Sequence, residues 1–422
     1  MLRLIHLSDI HFDEKKGVSD SNIDVRDGIE FDLQCLIKEF PKPVDYILVC
    51  GDVAFSGKKS EYEKAKTWLD KICEIVKCKP SSVMLVPGNH DVDRNQLKES
   101  YIQELLHKEI RNKNEQEIDE TFEKIIEGNE LNYLRKAQSA YENFANIYDC
   151  VVDSDKIYWE GKLETINGIE ILLRGCNSAL LADKNDDNLK DRMAMSKYQH
   201  YVKEKLNTIY IAMCHHPTEC MIDKSEVEKS FNEKAILQLY GHNHKYNIEP
   251  KEKSIILHAG AIKPEKGEMD RPCYNIIDID INDNKFNLTL WAREWDGNEF
   301  VTGFKDGSQF ENHSISIPNK MTKWKGSTKK ESVSIYNETK ETKDINVFVS
   351  REDNTMEYTE RDIRYEFLSL PFRNRKAIGN QLIPESFNDT SISEMNRSLI
   401  FLNMIKEVER YNELWQQIKI II

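Results

Sequence analysis

The feature that most constrains this fold is a repeated local pattern in which a short apolar run is followed at once by a residue able to donate a lone pair. Leu2 to Leu7 leads into Asp9 and His11, Tyr46 to Cys50 into Gly51 and Asp52, and Val83 to Val86 into Gly88, Asn89, His90 and Asp91. Ile209 to Cys214 leads into His215 and His216, and Ile236 to Tyr240 into Gly241, His242 and His244. Apolar runs this short, bounded by such breaks, read as buried strands, and Ile169 to Leu173 and Ile255 to Leu257 add two more. Helical spacings lie between some of them: Leu33, Leu36, Ile37 and Phe40, then Tyr62, Ala65, Leu69, Ile72 and Val76 behind a Ser60/Glu63 capping box. Strand alternating with helix predicts an α/β protein. Functional groups of open α/β sheets gather outside the carboxyl ends of the strands, so a single sheet would bring these distant residues into one pocket.

The spacing within each piece carries chemistry. Asp9 and His11, like His242 and His244, are two apart, which in extended backbone directs both side chains to the same side. Gly51, Gly88 and Gly241 allow sharp turns beside the donors. Mixed imidazole, carboxylate and amide donors suit borderline or hard divalent ions without any thiolate. One strand-end Asp or His alone is ordinarily a cap or a surface residue, so the ordered set is what points to a metal site. Arg94 is a candidate for binding a substrate phosphate or for pairing with a nearby acid. Asn177 and Ser178 either line the pocket or make a turn, and His6 and His258 read as core histidines or supports of the site.

A chain of 422 residues exceeds what one core usually organises, so two domains are expected. The first spans 1–318 and contains a charged helical cap insertion at about 94–148, marked by Leu97, Tyr101 and Leu105 and by Leu134, Ala137, Tyr141, Phe144 and Tyr148. Tyr274 to Ile281 and Phe286 to Trp291 flank Asn282-Asp283-Asn284 as a hairpin that closes it. Residues 319–345 have the composition of a polar linker. Residues 346–422 then form a small α-helical domain, with Phe367, Leu368, Leu370 and Phe372 followed by a stripe from Leu399 through Leu402, Ile405, Val408, Tyr411, Leu414 and Trp415 to Ile418.

The net charge of −14 disfavours non-specific binding of polyanions, although bound cations reverse the potential inside an acidic pocket. The 9 cysteines are scattered singly and odd in number, which excludes a zinc ribbon or a secreted disulfide framework and suits a reducing cytoplasm. The N-terminus reaches charged residues before a signal-peptide core forms, and no apolar stretch is long enough to span a bilayer, so no membrane partner is expected.

Taken in order, Asp9-Ile10-His11, Gly51-Asp52, Gly88-Asn89-His90-Asp91, His215 and Gly241-His242-Asn243-His244 resemble the motif set of the calcineurin-like metallophosphoesterases, over about Met1 to Phe300. The resemblance implies a two-sheet sandwich flanked by helices. It implies two divalent ions, Mn²⁺ first with Fe, Zn, Ni or Mg as alternatives, one held by Asp9, His11 and His244, the other by Asn89, His215 and His242, with Asp52 between them. Such ions, about 3.5 to 4 Å apart, supply a metal-bridging hydroxide. His90 would protonate the leaving oxygen, Asp91 would orient it, and His216, beside the strand-ending ligand His215, would face substrate.

The flank Asp52-Val53-Ala54-Phe55-Ser56-Gly57 departs from the Asp-Arg-Gly of the family's protein phosphatases and is more similar to its bacterial phosphodiesterase branch. That implies a nucleotide or nucleic-acid diester as substrate, with a DNA or RNA nuclease as the alternative. A non-catalytic binding scaffold belongs to a different class, and the filled ligand set argues against it. The tail pattern Phe367, Leu370-Pro371, Arg373, Arg375, Ile378, Leu382 and Tyr411 to Trp415 is similar to effector-associated helical modules of bacterial conflict and defence systems. It implies recruitment by a protein partner, beside the plainer reading of packing or self-association.

Overall fold

The computed structural model describes residues 1–14, 22–40, 42–152, 156–184, 192–264, 271–317 and 358–422. The expected linker lies outside the described residues. The chain divides into two compact units, Met1–Met321 and Thr322–Ile422.

The first unit begins β1 (Leu2–Leu7), α1 (Ile23–Glu39), β2 (Tyr46–Cys50), α2 (Lys59–Val76) and β3 (Val83–Val86). Helices α3 (Arg94–Glu99), α4 (Tyr101–Arg111), α5 (Ile118–Glu127), α6 (Leu131–Arg135) and α7 (Ser139–Ile147) follow as the cap. Then come β4 (Tyr158–Ile166), β5 (Ile169–Cys176), α8 (Lys197–His200), β6 (Thr208–Met213), α9 (Lys224–Lys234), β7 (Ala235–Tyr240), β8 (Tyr246–Pro250) and β9 (Ile255–Ala259). The unit ends with β10 (Cys273–Asn282), β11 (Lys285–Trp295), β12 (Phe300–Thr302) and β13 (Glu311–Ser316).

These strands form two sheets, as the resemblance implied, and the donors come from the strand ends of both rather than of a single sheet. The first runs β12-β11-β10-β1-β2-β3 with β13 on β11, and the second runs β4-β5-β6-β7-β9-β8. Within the first, β1, β2 and β3 are parallel; within the second, β5, β6, β7 and β9 are. Their central strands are buried along their whole length, as parallel strands covered on both faces must be. The sheets meet where the Trp159 indole donates to the Leu85 carbonyl at 3.0 Å and the Tyr46 hydroxyl donates to Leu163 at 3.0 Å. This is the two-sheet sandwich flanked by helices, and the carboxyl ends of β1, β2, β3, β6 and β7 carry the candidate donors.

Two local expectations change in this unit. Helix α2 starts at Lys59 rather than behind Ser60, and Glu61 closes its first turn by accepting from the Ser56 and Lys58 amides at 3.0 and 2.9 Å. In the cap, Tyr101 and Leu105 are exposed while Leu106 and Ile110 are buried. The reason is Ser100, whose hydroxyl caps α4 and resets the helical phase set by Leu97. The second cap stripe, Leu134 to Tyr148, is buried throughout.

The second unit holds α10 (Glu360–Ser369), α11 (Phe372–Leu382), α12 (Glu394–Glu407) and α13 (Tyr411–Lys419). Phe367, Phe387, Phe401, Leu402, Ile405, Leu414 and Ile418 are buried in its core. The Leu399 to Ile418 stripe is two helices and not one: Glu409 turns the chain at φ 54°, and Val408 is 52% exposed at the break.

Candidate metal centre

Five strand ends deliver their side chains to one place. Asp9 is fully buried, His11, Asp52, Asn89, His215 and His216 nearly so, and His242 and His244 are half-buried. The side-chain donor atoms of Asp9, His11 and His244 lie within 4.8 Å of one another, as do those of Asp9, Asp52 and His215, of His11, Asp52 and His90, and of His215, His216 and His242. Asp9, His11, Asp52 and His215 each belong to two of these groups and link them.

The two-residue spacing works differently from the extended-backbone expectation. Asp9 and His11 have φ of 53° and 51°, Asp52 has 52°, and His242 and His244 have 65° and 53°. Left-handed backbone at these residues costs energy, so neighbours must hold it in place. The Ile10 and His11 amides both donate to the Asp52 carbonyl, at 2.9 and 3.0 Å, and the Lys263 amide donates to Asp9 at 2.9 Å. Close backbone approach does the rest: a Cβ on Gly241 would stand 2.7 Å from the Cys50 carbonyl oxygen.

The electrostatics fit cations. Burial alone would push the Asp9 and Asp52 carboxyls up, but His215 and the neighbouring histidines together outweigh it and hold Asp9 at about 2 and Asp52 well below the usual range. Burial pushes His11 down to about 3 and His242 to about 4, and pushes His216 well down, so these imidazoles present lone pairs at neutral pH. His215 donates Nδ1–H to the Cys50 carbonyl at 2.7 Å, which turns Nε2 toward Asn89 Oδ1 at 3.0 Å and Asp52 Oδ2 at 3.4 Å. Two lone-pair atoms that close need a proton or a cation between them. Burial would lower His215, yet Asp52 and Asp9 raise it to about 9, so a proton takes that place when no metal does. Asp9 Oδ1 is buried without a hydrogen-bond partner, 3.3 Å from His244 Nε2 and 4.0 Å from both His11 Nε2 and His215 Nε2. Uncompensated, a buried carboxylate of this kind costs several kcal/mol. The residues present therefore fit divalent ions.

The remaining candidates divide. His90 stands against His11 with ring centroids 4.6 Å apart, and its Nδ1–H donates to the Phe55 carbonyl at 2.8 Å. Asp91 does not orient it, contrary to expectation. Its carboxylate accepts from the amides of Val53, Ala54 and Gly88 at 3.3, 2.9 and 2.9 Å and from the Tyr62 hydroxyl at 2.9 Å, so it staples the β2 and β3 loops together. Asn177 is also corrected as a substrate contact. Its side-chain amide donates to Gln138 at 2.7 Å and accepts from the Ala179 amide at 3.1 Å, tying the cap to the loop after β5. Ser178 bonds His216 Nδ1 at 2.9 Å and accepts from the His216 amide at 3.0 Å. Arg94 lines a cavity outside the donor groups. His6 is a core histidine, with Nε2 3.1 Å from Cys50 Sγ.

Two residues escaped the sequence reading of the site. Phe55 was noticed only as a flank, yet its half-exposed ring sits 5.2 Å from the His90 ring and 6.0 Å from His11. Lys263 places Nζ 3.4 Å from the His11 carbonyl and 3.3 Å from Asp13 Oδ2. Nothing local marks either one, because the contact that brings β9's exit beside β1 is purely tertiary.

The calcineurin-like phosphoesterase family model matches residues 2–246. The metallophosphoesterase-like protein YydB of Bacillus subtilis (strain 168) is 25% identical over 311 residues, 70% of this chain and 60% of that protein. The alignment thus leaves a large part of that relative unmatched. Among solved structures, Vps29 of Chaetomium thermophilum is similar with a TM-score of 0.32 and 8% identity, covering 75% of this chain and 100% of that one. GAP50 of Plasmodium has a TM-score of 0.40 and 11% identity, covering 76% and 91%.

Proposed function

This chain belongs to the calcineurin-like phosphoesterase family, and from that premise we propose that it is a phosphodiesterase acting on a nucleotide or nucleic-acid diester. The observation that carries the reading is the buried, unpartnered Asp9 Oδ1 among the His11, His215 and His244 ring nitrogens, with Asp52 beside it. Asp9, His11 and His244 would hold one divalent ion, Asn89, His215 and His242 a second, with Asp52 shared. Bound there, a pair of such ions polarises a phosphoryl group and acidifies water.

The chain's own residues do the rest. His90 keeps Nδ1–H on the Phe55 carbonyl, so Nε2 is the nitrogen that, in the imidazolium form, would carry the proton passed to the leaving oxygen. Asp91 keeps the Asp52 loop and the Gly88 turn in register, so that Asp52 Oδ1 accepts the His90 amide at 2.8 Å while Oδ2 faces the imidazoles. Ser178 fixes the His216 ring, whose Nε2 is without a partner and would face substrate. The exposed Phe55 ring offers an apolar wall beside the leaving group, which favours an organic diester over inorganic phosphate.

The cysteines stand free, as a reducing cytoplasm keeps them, and no helix among the described residues is long and apolar enough to cross a membrane. Residues 346–422 would serve recruitment or self-association, in the manner of a defence effector. The test is hydrolysis of bis(p-nitrophenyl) phosphate by metal-stripped protein resupplied with Mn²⁺, beside elemental analysis. Turnover that returns with Mn²⁺, at two ions per chain, supports the reading. An empty centre under metal-replete conditions ends it.

A further inference from the structure

A second concentration of charge lies outside the donor groups. A cavity of about 560 Å³ among α3, α4 and the segment after β5 is lined by Arg94, Lys98, Lys108, Arg111, Lys184 and Arg192, against Glu104 and Asp183. In a chain of net charge −14 this runs opposite to the average composition. None of the candidate metal donors lines it.

Part of the wall is built rather than incidental. Arg111 and Arg192 both bond Asp183 Oδ2, at 2.5 and 3.0 Å, and Arg111 also reaches the Leu181 and Arg192 carbonyls. One carboxylate therefore fixes two guanidinium groups. Among the described residues no carboxylate pairs with Lys98, Lys108 or Lys184. A further wall group is His107, 5% exposed, whose Nε2 is buried without a hydrogen-bond partner. Burial, helped by Arg111, pushes this imidazole down to about 4, so at neutral pH it adds an acceptor and no charge. Leaving such a nitrogen unbonded is costly, which favours a ligand that supplies an N–H or O–H donor.

We propose that this cavity binds a small molecule bearing two or more phosphate groups together with hydroxyl or amino donors, the chemistry of a nucleoside polyphosphate. Its volume falls in the range of small-ligand sites. Guanidinium and ammonium groups recognise phosphate by charge-assisted hydrogen bonds, and Leu97 adds an apolar surface. Arg94, read from the sequence as a contact to the substrate phosphate or to a nearby acid, lines this cavity instead.

The test is calorimetric titration of the full chain with ATP in EDTA at low salt, which removes any contribution from metal-bound ligand. ATP should bind with an affinity that falls as salt rises, and adenosine at the same concentration should give no heat. The double variant K98E/K108E should weaken ATP by at least about tenfold, since two attractive charges become repulsive. Lys184→Glu, on a different segment, should weaken it several-fold. Melting of both variants without ligand checks that they are folded. Absence of ATP binding, or equal affinity in folded variants and parent, overturns the proposal. Because the protein is metal-free throughout, that result would leave the reading of the metal centre standing.

Discussion

Gly88→Ala probes whether the metal centre depends on the close approach of two loop backbones. A Cβ at position 88 would stand 2.1 Å from Asp52 Oδ1, 2.8 Å from its Cγ and 2.5 Å from its amide nitrogen. The carboxylate can rotate away from the first contact. The backbone contact cannot be relieved that way, and reaching the ordinary 3.4 Å requires the ends of β2 and β3 to part. That displacement is on the order of 1 Å, enough to cost about a hundredfold in rate where geometry is tight. The overpacking itself costs about 1–3 kcal/mol, against a typical domain stability of about 5–15 kcal/mol, so the variant should fold. Asp52, like Asp9, faces both His11 and His215, here at 3.8 and 3.4 Å, so both halves of the centre loosen together. We expect metal affinity to fall about 10- to 100-fold. Gly168→Ala is the control: its φ of +79° makes alanine strained, but nothing lies within 4 Å of the added carbon. It should lose about 1–2 kcal/mol and bind metal as before. Melting curves and calorimetric Mn²⁺ titration of both variants decide the matter. Wild-type metal affinity in Gly88→Ala would refute the backbone argument.

Three further outcomes are expected. His90→Asn should lower turnover about 10²- to 10⁴-fold with metal content unchanged, whereas Asp52→Asn should lose metal as well; equal metal loss in both would remove His90 from the role of acid. Asp91→Asn keeps one acceptor oxygen but sets an NH2 donor against either the Ala54 amide or the Val53 and Gly88 amides, and should cost about 1–3 kcal/mol in urea unfolding. It should also leave the activity–pH profile in place, because Phe55 and not Asp91 holds His90, and a clear shift of the profile would contradict that geometry. Truncation after Lys330 should leave hydrolysis of a small diester intact; its loss in a folded protein would make the tail part of the active assembly.

How far the sequence discloses this arrangement depends on where each signal is stored. Buried parallel strands store theirs locally, and β1, β2 and β3 fall where their apolar runs fall. Strand β4 does not, because Gly161, Lys162 and Glu164 interrupt it and its buried residues Trp159, Leu163 and Ile166 fall out of the two-residue period across a register shift. Strand β13, exposed along most of one face, is hidden for the same reason. Partition into two sheets is not local either, since an apolar run does not specify its neighbour. Residue identity revealed the donors, while their partners needed three dimensions. Asp91 was read beside His90 because they are adjacent in sequence, yet its carboxylate reaches back to Val53 and Ala54.

The least legible feature is also the one that ties fold to chemistry. Asp9, His11, Asp52, His242 and His244 all adopt left-handed backbone, a conformation in which glycine would be comfortable and histidine is not. Each such residue costs on the order of 1–3 kcal/mol, and strain of that size persists only where surrounding structure over-determines it. Here the surroundings are the paired Ile10 and His11 amides on one Asp52 carbonyl, and the Lys263 amide on Asp9. These bonds stabilise the loop backbones and would do so equally well with glycine in place of the strained residues. Retaining carboxylates and imidazoles there gives up stability that glycine would recover, and it also packs acidic and basic groups together in a dry pocket. Backbone economy therefore argues against these side chains, and their placement follows from their lone pairs. Asn89 and His215, outside the left-handed set, join the same cluster through the 3.0 Å approach of Oδ1 and Nε2, so strained and unstrained donors converge on one cation-seeking pocket.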